Sequence, residues 1–267
     1  MTDRATRTLT KVPEITAFFW ITKILTTAMG EATSDFMNAS LGPAIAVPLM
    51  LIGLTLALRW QFKAQRYEAW RYWTVVVMVA VFGTSAADAL HVGLAIPYAI
   101  SSAFYLVVLA GVFVAWYRSE GTLSIHSIYT ARRERFYWWT VLSTFALGTA
   151  FGDYTATSLN IGYLPSGILF VSLIALPAVG WWLFGANPIV SFWFAYIITR
   201  PLGASFADWM DASRHLSGLA LGTGPVALGL AAVMVGFIAY LAITRVDVER
   251  AAGVEAVAQP VLQVELD

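Results

Sequence analysis

Carboxylic acids recur at matching places in long apolar stretches of the sequence. Glu31 precedes the first of them, Asp35, by four residues, so that both can face one cavity from a single helix. Ligand sets made only of oxygen suit hard cations such as Mg²⁺, Mn²⁺ and Ca²⁺. The sequence therefore predicts a cation-binding pathway with metal ligands Glu31, Asp35, Asp88, Asp153 and Asp208, and with Asp211 beside it.

Two basic residues, Lys23 and Arg200, lie in the same stretches. Charged groups inside a bilayer face the bundle interior or water, so we predict that both are internal counterions that exchange partners with a substrate cation. For Lys23, snorkelling to the interface is the alternative. Like charges drawn together favour either a bound cation or bound protons. Threonines that could supply further oxygens, or bond their own helix backbone instead, are Thr26, Thr27, Thr84, Thr144, Thr149 and Thr199.

These acids belong to a pattern that occurs four times: an aromatic residue, Trp, nine residues, Gly, four residues and Asp. The tryptophans, predicted as interface anchors, are Trp20, Trp73, Trp138 and Trp193. The glycines, predicted to allow close helix packing or a helix break, are Gly30, Gly83, Gly148 and Gly203. A proline begins the apolar stretch that follows each copy, and proline suits a first helical turn.

The composition indicates a membrane protein. The chain is 59% hydrophobic and 12% charged, with no net charge, no Cys and three His. These values argue against a soluble domain, a nucleic-acid-binding surface, thiolate chemistry and an imidazole zinc site. About 20 apolar residues span a bilayer as a helix. The predicted spans are 15–36, 44–62, 72–90, 97–117, 137–155, 165–185, 189–210 and 223–244.

The pattern predicts an all-α membrane protein of eight transmembrane helices. Each repeat has two spans, so the four repeats are parallel and close with pseudo-fourfold or two-by-two symmetry. Basic residues concentrate in the loops on one side, which predicts cytoplasmic N- and C-termini. The predicted segments are an N-terminus 1–12, repeats 13–66, 67–117, 137–187 and 188–244, a cytoplasmic loop 118–136 and a tail 245–267.

The chain resembles a family of bacterial inner-membrane proteins made of four tandem repeats, described as uncharacterised membrane-anchored proteins. The residues that carry this resemblance are the opening Lys11-Val-Pro-Glu14, the Gly30-Glu31 pair and the four Trp/Gly/Asp units. It covers residues 11–244. The resemblance implies an architecture and no activity.

The acidic residues themselves suggest the function. We predict a transporter or exporter of an inorganic cation, most simply a divalent one such as Mn²⁺ or Mg²⁺, with possible proton coupling. Its partners would be lipid, the cation and protons, without a resident cofactor or enzymatic activity. The alternatives are a non-transporting sensor that binds a partner through residues 118–136, and an intramembrane aspartyl enzyme built on the Gly152-Asp153 pair.

Overall fold

The computed structural model describes residues 10–248, and all its regular elements are helical. The predicted eight-helix fold is confirmed, because each predicted span coincides with one long helix. The helices are α1 (Ala17–Leu41), α2 (Pro43–Phe62), α3 (Ala69–Asp88), α4 (Tyr98–Glu120), α5 (Ala131–Asp153), α6 (Tyr163–Phe184), α7 (Pro188–Asp211) and α8 (Thr223–Thr244).

The first helices of the four repeats form a closed inner ring. In this ring α1 packs on α3, α3 on α5, α5 on α7, and α7 back on α1. Each second helix lies outside the ring and packs chiefly on the first helix of the following repeat, so that α8 packs on α1. Of the two predicted arrangements, the structure has the pseudo-fourfold one.

The repeated glycines bring the inner helices together. Each one faces the inner helix of the next repeat, at the residue three before that repeat's own glycine. A Cβ on Gly83, for example, would lie 2.9 Å from the Cβ of Phe145. The other contacts are Gly30 with Ala80, Gly148 with Arg200, and Gly203 with Thr27. The helices run through these positions without interruption, so the glycines provide close packing and not a helix break.

Six of the eight helices, α2, α3, α4, α6, α7 and α8, are long and apolar enough to cross a membrane. The outer helices direct large apolar side chains away from the protein, including Val107 on α4 and Leu228 on α8, which are 71% and 75% exposed. Most of the buried polar side chains lie on the inner helices. The chain is therefore a multi-pass membrane protein whose inner helices bury polar side chains inside a largely apolar core.

Three of the four repeated tryptophans are inside the protein. Trp73, Trp138 and Trp193 are at most 4% exposed, so their prediction as interface anchors is wrong; Trp20 is half-buried. The reason is ring closure, since each indole packs on the first aromatic residue of the preceding repeat. The ring centroids are 5.6–6.3 Å apart for the pairs Phe19–Trp73, Tyr72–Trp138, Tyr137–Trp193 and Phe192–Trp20.

The end of the bundle where the inner helices begin carries the basic loops, and we call it the basic end; the opposite end is the acidic end. Residues 10–16 cross the basic end as a strap. Backbone hydrogen bonds tie this strap to Tyr67 before α3, to Ile128 before α5 and to Asp247 after α8. The Lys11 ammonium also donates to Glu134 at 2.7 Å, and both side chains are at most 9% exposed. The strap therefore closes the basic end.

Candidate functional site

The inner helices carry residues at matching positions four residues apart, which we group into five layers with one residue from each inner helix per layer. Successive layers are four residues apart, which is about 6 Å along a helix. From the acidic end, the acidic layer contains Asp35, Asp88, Asp153 and Asp208, and the glutamate layer contains Glu31, Thr84, Thr149 and Ala204. The arginine layer contains Thr27, Ala80, Phe145 and Arg200. The lysine layer contains Lys23, Val76, Val141 and Tyr196, and the aromatic layer contains Phe19, Tyr72, Tyr137 and Phe192. All sixteen residues below the acidic layer are buried.

The acidic end holds a group of carboxylates from two neighbouring helices. Glu31 and Asp35 on α1 and Asp208 on α7 each offer an oxygen, and these three oxygens lie within 4.8 Å of one another. Glu31 is buried, whereas Asp35 and Asp208 are half-buried at the opening of the ring. We call these three residues the carboxylate triad. They are the predicted ligands whose carboxylate oxygens lie close enough together to form one group.

The other predicted acidic residues surround the triad. Asp88 ends α3 and Asp153 ends α5, and each is followed by a π-helical turn of five residues. Their charges interact with that of Glu31, although neither belongs to the triad. Asp211 lies one turn beyond Asp208 and has a carboxylate oxygen without a hydrogen-bond partner among the described residues. The acidic end therefore gathers six carboxylates.

Arg200 lies next to the triad, on the side toward the basic end, and its side chain connects the inner helices. Its Nη2 donates to Glu31 on α1, to Thr84 on α3 and to Thr149 on α5, the last at 2.6 Å. Arg200 extends from α7, so one guanidinium nitrogen joins all four inner helices. Its Nε and Nη1 have no hydrogen-bond partner within residues 10–248. The Gly148 contact explains how so large a side chain fits, because a Cβ there would overlap the Arg200 stem.

Lys23 lies one layer further toward the basic end and is fully buried, which excludes the snorkelling alternative. Its Nζ has no hydrogen-bond partner in the described part of the chain. The amine lies 4.0 Å from the ring centroid of Phe145 and 4.2 Å from that of Tyr196. Arg200 packs on the same Phe145 ring, with its Cζ 5.6 Å from the centroid. The two predicted counterions are thus neighbours, and only Arg200 is paired with a carboxylate.

Hydroxyl groups continue from Lys23 to the basic end. The hydroxyls of Tyr72 and Tyr137 are hydrogen-bonded to each other, whereas the buried Tyr196 hydroxyl has no hydrogen-bond partner among the described residues. Nearer the surface, the Tyr67 hydroxyl donates to the Asp247 carboxylate. Burial raises the pKa of Asp247, and burial together with the Asp247 charge raises the pKa of Tyr67. These tyrosines were not predicted as site residues, although the four-residue spacing of buried polar positions was visible in the sequence.

The predicted threonines divide into two groups. All six bond a backbone carbonyl of their own helix, as the alternative interpretation predicted. Thr84 and Thr149 also accept a hydrogen bond from Arg200, so these two contribute oxygens to the centre of the ring. The loop 118–136, proposed above as a partner site, is partly docked, since Ile125 and Ile128 are buried and the Trp193 indole donates to the Leu123 carbonyl.

Comparison with known proteins identifies the repeats. A family model described as a repeat of unknown function (DUF347) matches the chain at residues 18–67, 71–122, 136–187 and 191–247. No curated protein and no solved structure matches the chain significantly.

Proposed function

The chain belongs to the family of the DUF347 repeat, and we propose that it transports an inorganic divalent cation such as Mn²⁺ or Mg²⁺ across the membrane in exchange for protons. The observation that carries this proposal is the carboxylate triad of Glu31, Asp35 and Asp208 inside a ring of membrane helices. In this proposal the basic end faces the cytoplasm, as the distribution of basic loops predicts, and the membrane is the bacterial inner membrane.

The triad has dimensions that suit a hard cation. Oxygen ligands lie about 2.0–2.6 Å from Mg²⁺ or Ca²⁺, so two ligands on opposite sides of the ion are about 4–5 Å apart. The triad oxygens, within 4.8 Å of one another, fall in this range. Asp88, Asp153 and Asp211 add negative charge around the opening, which raises the local concentration of cations. The charge of the acidic end therefore favours a divalent ion.

Arg200 acts as the tethered competitor of the cation. It already donates to a Glu31 carboxylate oxygen, the same group that a bound ion would use. A cation that enters the triad therefore weakens the Glu31–Arg200 pair, and departure of the cation restores it. This exchange makes the closure of the ring depend on occupancy, which is the property that a transporter needs and a passive pore lacks.

The closed axis argues against a passive pore, and two other features argue against the remaining alternatives. Arg200 bonds side chains of the other three inner helices, and the aromatic layer belongs to the buried core, so an ion cannot diffuse through this conformation. The apolar part of the 118–136 loop packs on the bundle, which leaves less of it for a partner. Six gathered carboxylates also exceed what an aspartyl dyad requires, so we propose no enzymatic activity.

The test is cation flux into proteoliposomes loaded with a metal-sensitive dye. Asp35→Asn and Asp153→Asn should each reduce Mn²⁺ flux at least about tenfold, because one removes a ligand and the other removes charge beside it. Glu68→Gln is the matched control, since Glu68 is exposed and forms a salt bridge with Arg71 at the basic end, away from the triad. Unchanged flux in both variants would exclude the carboxylates as the pathway.

A further inference from the structure

A cavity of about 520 Å³ opens at the basic end, between α3 and α8. It is lined by Trp60 near the end of α2, by residues 66–71 where α3 begins, and by residues from the segment 241–248 where α8 ends. Ligand sites are typically cavities of about 300–1,000 Å³, so this cavity is large enough for a small ligand. The transport proposal gives it no role, because the carboxylate triad lies at the opposite end of the bundle.

The lining of this cavity, which we call the arginine cavity, carries more positive charge than its own acids compensate. Its charged residues are Arg66, Arg71, Arg245, Glu68 and Asp247. Both acids already have partners, because Glu68 forms a salt bridge with Arg71 and Asp247 accepts a hydrogen bond from Tyr67. Arg66 and Arg245 form no salt bridge with any residue of 10–248. Two guanidinium groups are therefore left for an anion, and guanidinium groups bind phosphate through paired hydrogen bonds.

The start of α3 adds to the attraction for an anion. Ala69, Trp70 and Arg71 form the first turn of this helix, and all three line the cavity. The residue before them, Glu68, makes no capping hydrogen bond to the amide groups of this turn. Uncapped amide groups at the positive end of a helix dipole are favourable partners for a phosphate. The backbone and the arginines therefore favour the same kind of ligand.

The surroundings of the cavity suit a phosphate that is attached to a lipid. The cavity lies where α2 and α8 end, and both helices are long and apolar enough to cross a membrane. Trp60 and Trp70 are 42% and 44% exposed, and tryptophan at the end of a span is typical of the headgroup region. The Arg71 guanidinium packs on the Trp60 ring, with its Cζ 5.4 Å from the centroid. Leu241 and Ala242 give the cavity an apolar wall about one turn inside α8, which the glycerol and upper acyl chain of a phospholipid would cover.

We propose that the arginine cavity binds the headgroup of an anionic phospholipid, with the lipid phosphate held by Arg66 and Arg245. The two arginines come from different walls of the cavity, since Arg66 precedes α3 and Arg245 follows α8. Basic pockets between membrane helices are known sites for the headgroups of anionic lipids. A phosphate held by both arginines joins the two walls. This inference goes beyond cation transport and does not depend on it.

The same bridge stabilises the closed basic end, because both walls of the cavity hold the strap. On the α3 wall, the Tyr67 amide donates to the Thr10 carbonyl of the strap at 2.9 Å or less. On the α8 wall, the Asp247 carbonyl accepts from the Glu14 amide of the strap at 2.9 Å. A ligand that binds the closed arrangement of the walls favours the conformation in which the strap is bound. The bound lipid therefore reduces the access of water to the strap.

The first experiment measures lipid binding to the purified protein in a neutral detergent by native mass spectrometry. Phosphatidylglycerol, whose headgroup is anionic, should bind at least about tenfold more tightly than phosphatidylcholine, whose phosphate is offset by an ammonium group. The double variant Arg66→Gln/Arg245→Gln should lower the phosphatidylglycerol affinity at least about tenfold, to that of phosphatidylcholine. Arg118→Gln/Arg135→Gln is the matched control, because it removes two exposed arginines of the basic end that do not line the cavity.

Equal losses of affinity in the two double variants would overturn the proposal, because binding would then follow the overall charge of the basic end. Inorganic phosphate is the competitor that separates a lipid site from a site for free phosphate. At about tenfold excess over phosphatidylglycerol it should leave lipid binding within about twofold, because it cannot cover the apolar wall. Displacement of the lipid by phosphate would assign the cavity to a free anion instead.

A second measurement keeps every arginine and therefore does not depend on the folding of the double variants. A cysteine introduced by Val12→Cys, at a strap position that is 5% exposed, reports the access of a water-soluble thiol reagent to the strap. Phosphatidylglycerol should slow its labelling at least about threefold relative to phosphatidylcholine, because only the anionic lipid joins the two walls. Equal labelling rates in the two lipids would show that the lipid does not stabilise the basic end.

Discussion

The ion pair between Glu31 and Arg200 supports a quantitative prediction about stability. The Arg200 side chain is fully buried and that of Glu31 is 6% exposed, so removal of one partner leaves a charge with little access to water. Breaking a buried pair in this way costs about 3–5 kcal/mol. Arg200→Met and Glu31→Gln should each lower the free energy of unfolding by that amount. The double variant removes both charges, so it should cost about the same as one single variant.

The coupling between the two substitutions is therefore expected to be about 3–5 kcal/mol, the cost of one single variant. It can be measured by reversible unfolding in mixed micelles with a rising fraction of SDS, followed by tryptophan fluorescence. The pair Arg71–Glu68 is the control cycle: its Arg71 and Glu68 side chains are 24% and 44% exposed, and a surface pair couples by about 0.2–1 kcal/mol. Additive effects of Glu31→Gln and Arg200→Met would refute the interpretation that Arg200 is held mainly by Glu31.

Two further predictions concern the closure of the ring and of its basic end. Gly203→Ala should lower the free energy of unfolding by about 1–3 kcal/mol, because the new Cβ would meet the Thr27 side chain and the main chain next to Thr27. Gly111 has open space around it, so Gly111→Ala should change the free energy of unfolding by less than about 1 kcal/mol in the same SDS titration. Equal effects of the two would contradict the close approach of α7 to α1. Lys11→Met removes the ion pair that ties the strap to Glu134 on α5, so the strap should become more accessible to water. A cysteine introduced by Val12→Cys, at a position now 5% exposed, should then react with a water-soluble thiol reagent at least about tenfold faster than it does with Lys11 present. An unchanged labelling rate would show that the ion pair does not hold the strap.

The eight-helix fold followed from the sequence because a repeat with two spans constrains both the number of helices and their direction. The choice between a fourfold ring and two pairs did not follow. That choice depends on which helix each repeated glycine contacts. The sequence around Gly30 does not indicate that its partner is Ala80 and not a residue of another repeat. Ring closure also reversed the interpretation of Trp73, whose indole is buried between inner helices although tryptophan is common at membrane interfaces.

Part of the candidate site could also be predicted from the sequence. Acidic residues in apolar helices are costly and therefore stand out, so Glu31 and Asp35 were identified from their types alone. Thr84 and Thr149 were predicted to supply oxygens, but their pairing with Arg200 was not predicted, because it depends on how the ring brings α3, α5 and α7 together. Tyr137 was hidden within the aromatic-Trp pattern, where it resembled a packing residue.

The layers show at which positions the four repeats carry the same residue and at which positions they differ. The acidic layer has the same residue in all four copies, whereas the glutamate, arginine and lysine layers are each unequal. The unequal residues are not scattered: Glu31 and Lys23 come from α1, Arg200 comes from α7, and these helices adjoin across the seam where the ring closes. Packing alone would favour equal apolar residues at such buried positions, since each charge is costly there. The three charged residues below the acidic layer therefore lie at one seam of the ring and are not distributed around the fourfold axis, so the exchange of partners proposed for Glu31 and Arg200 would take place at this seam.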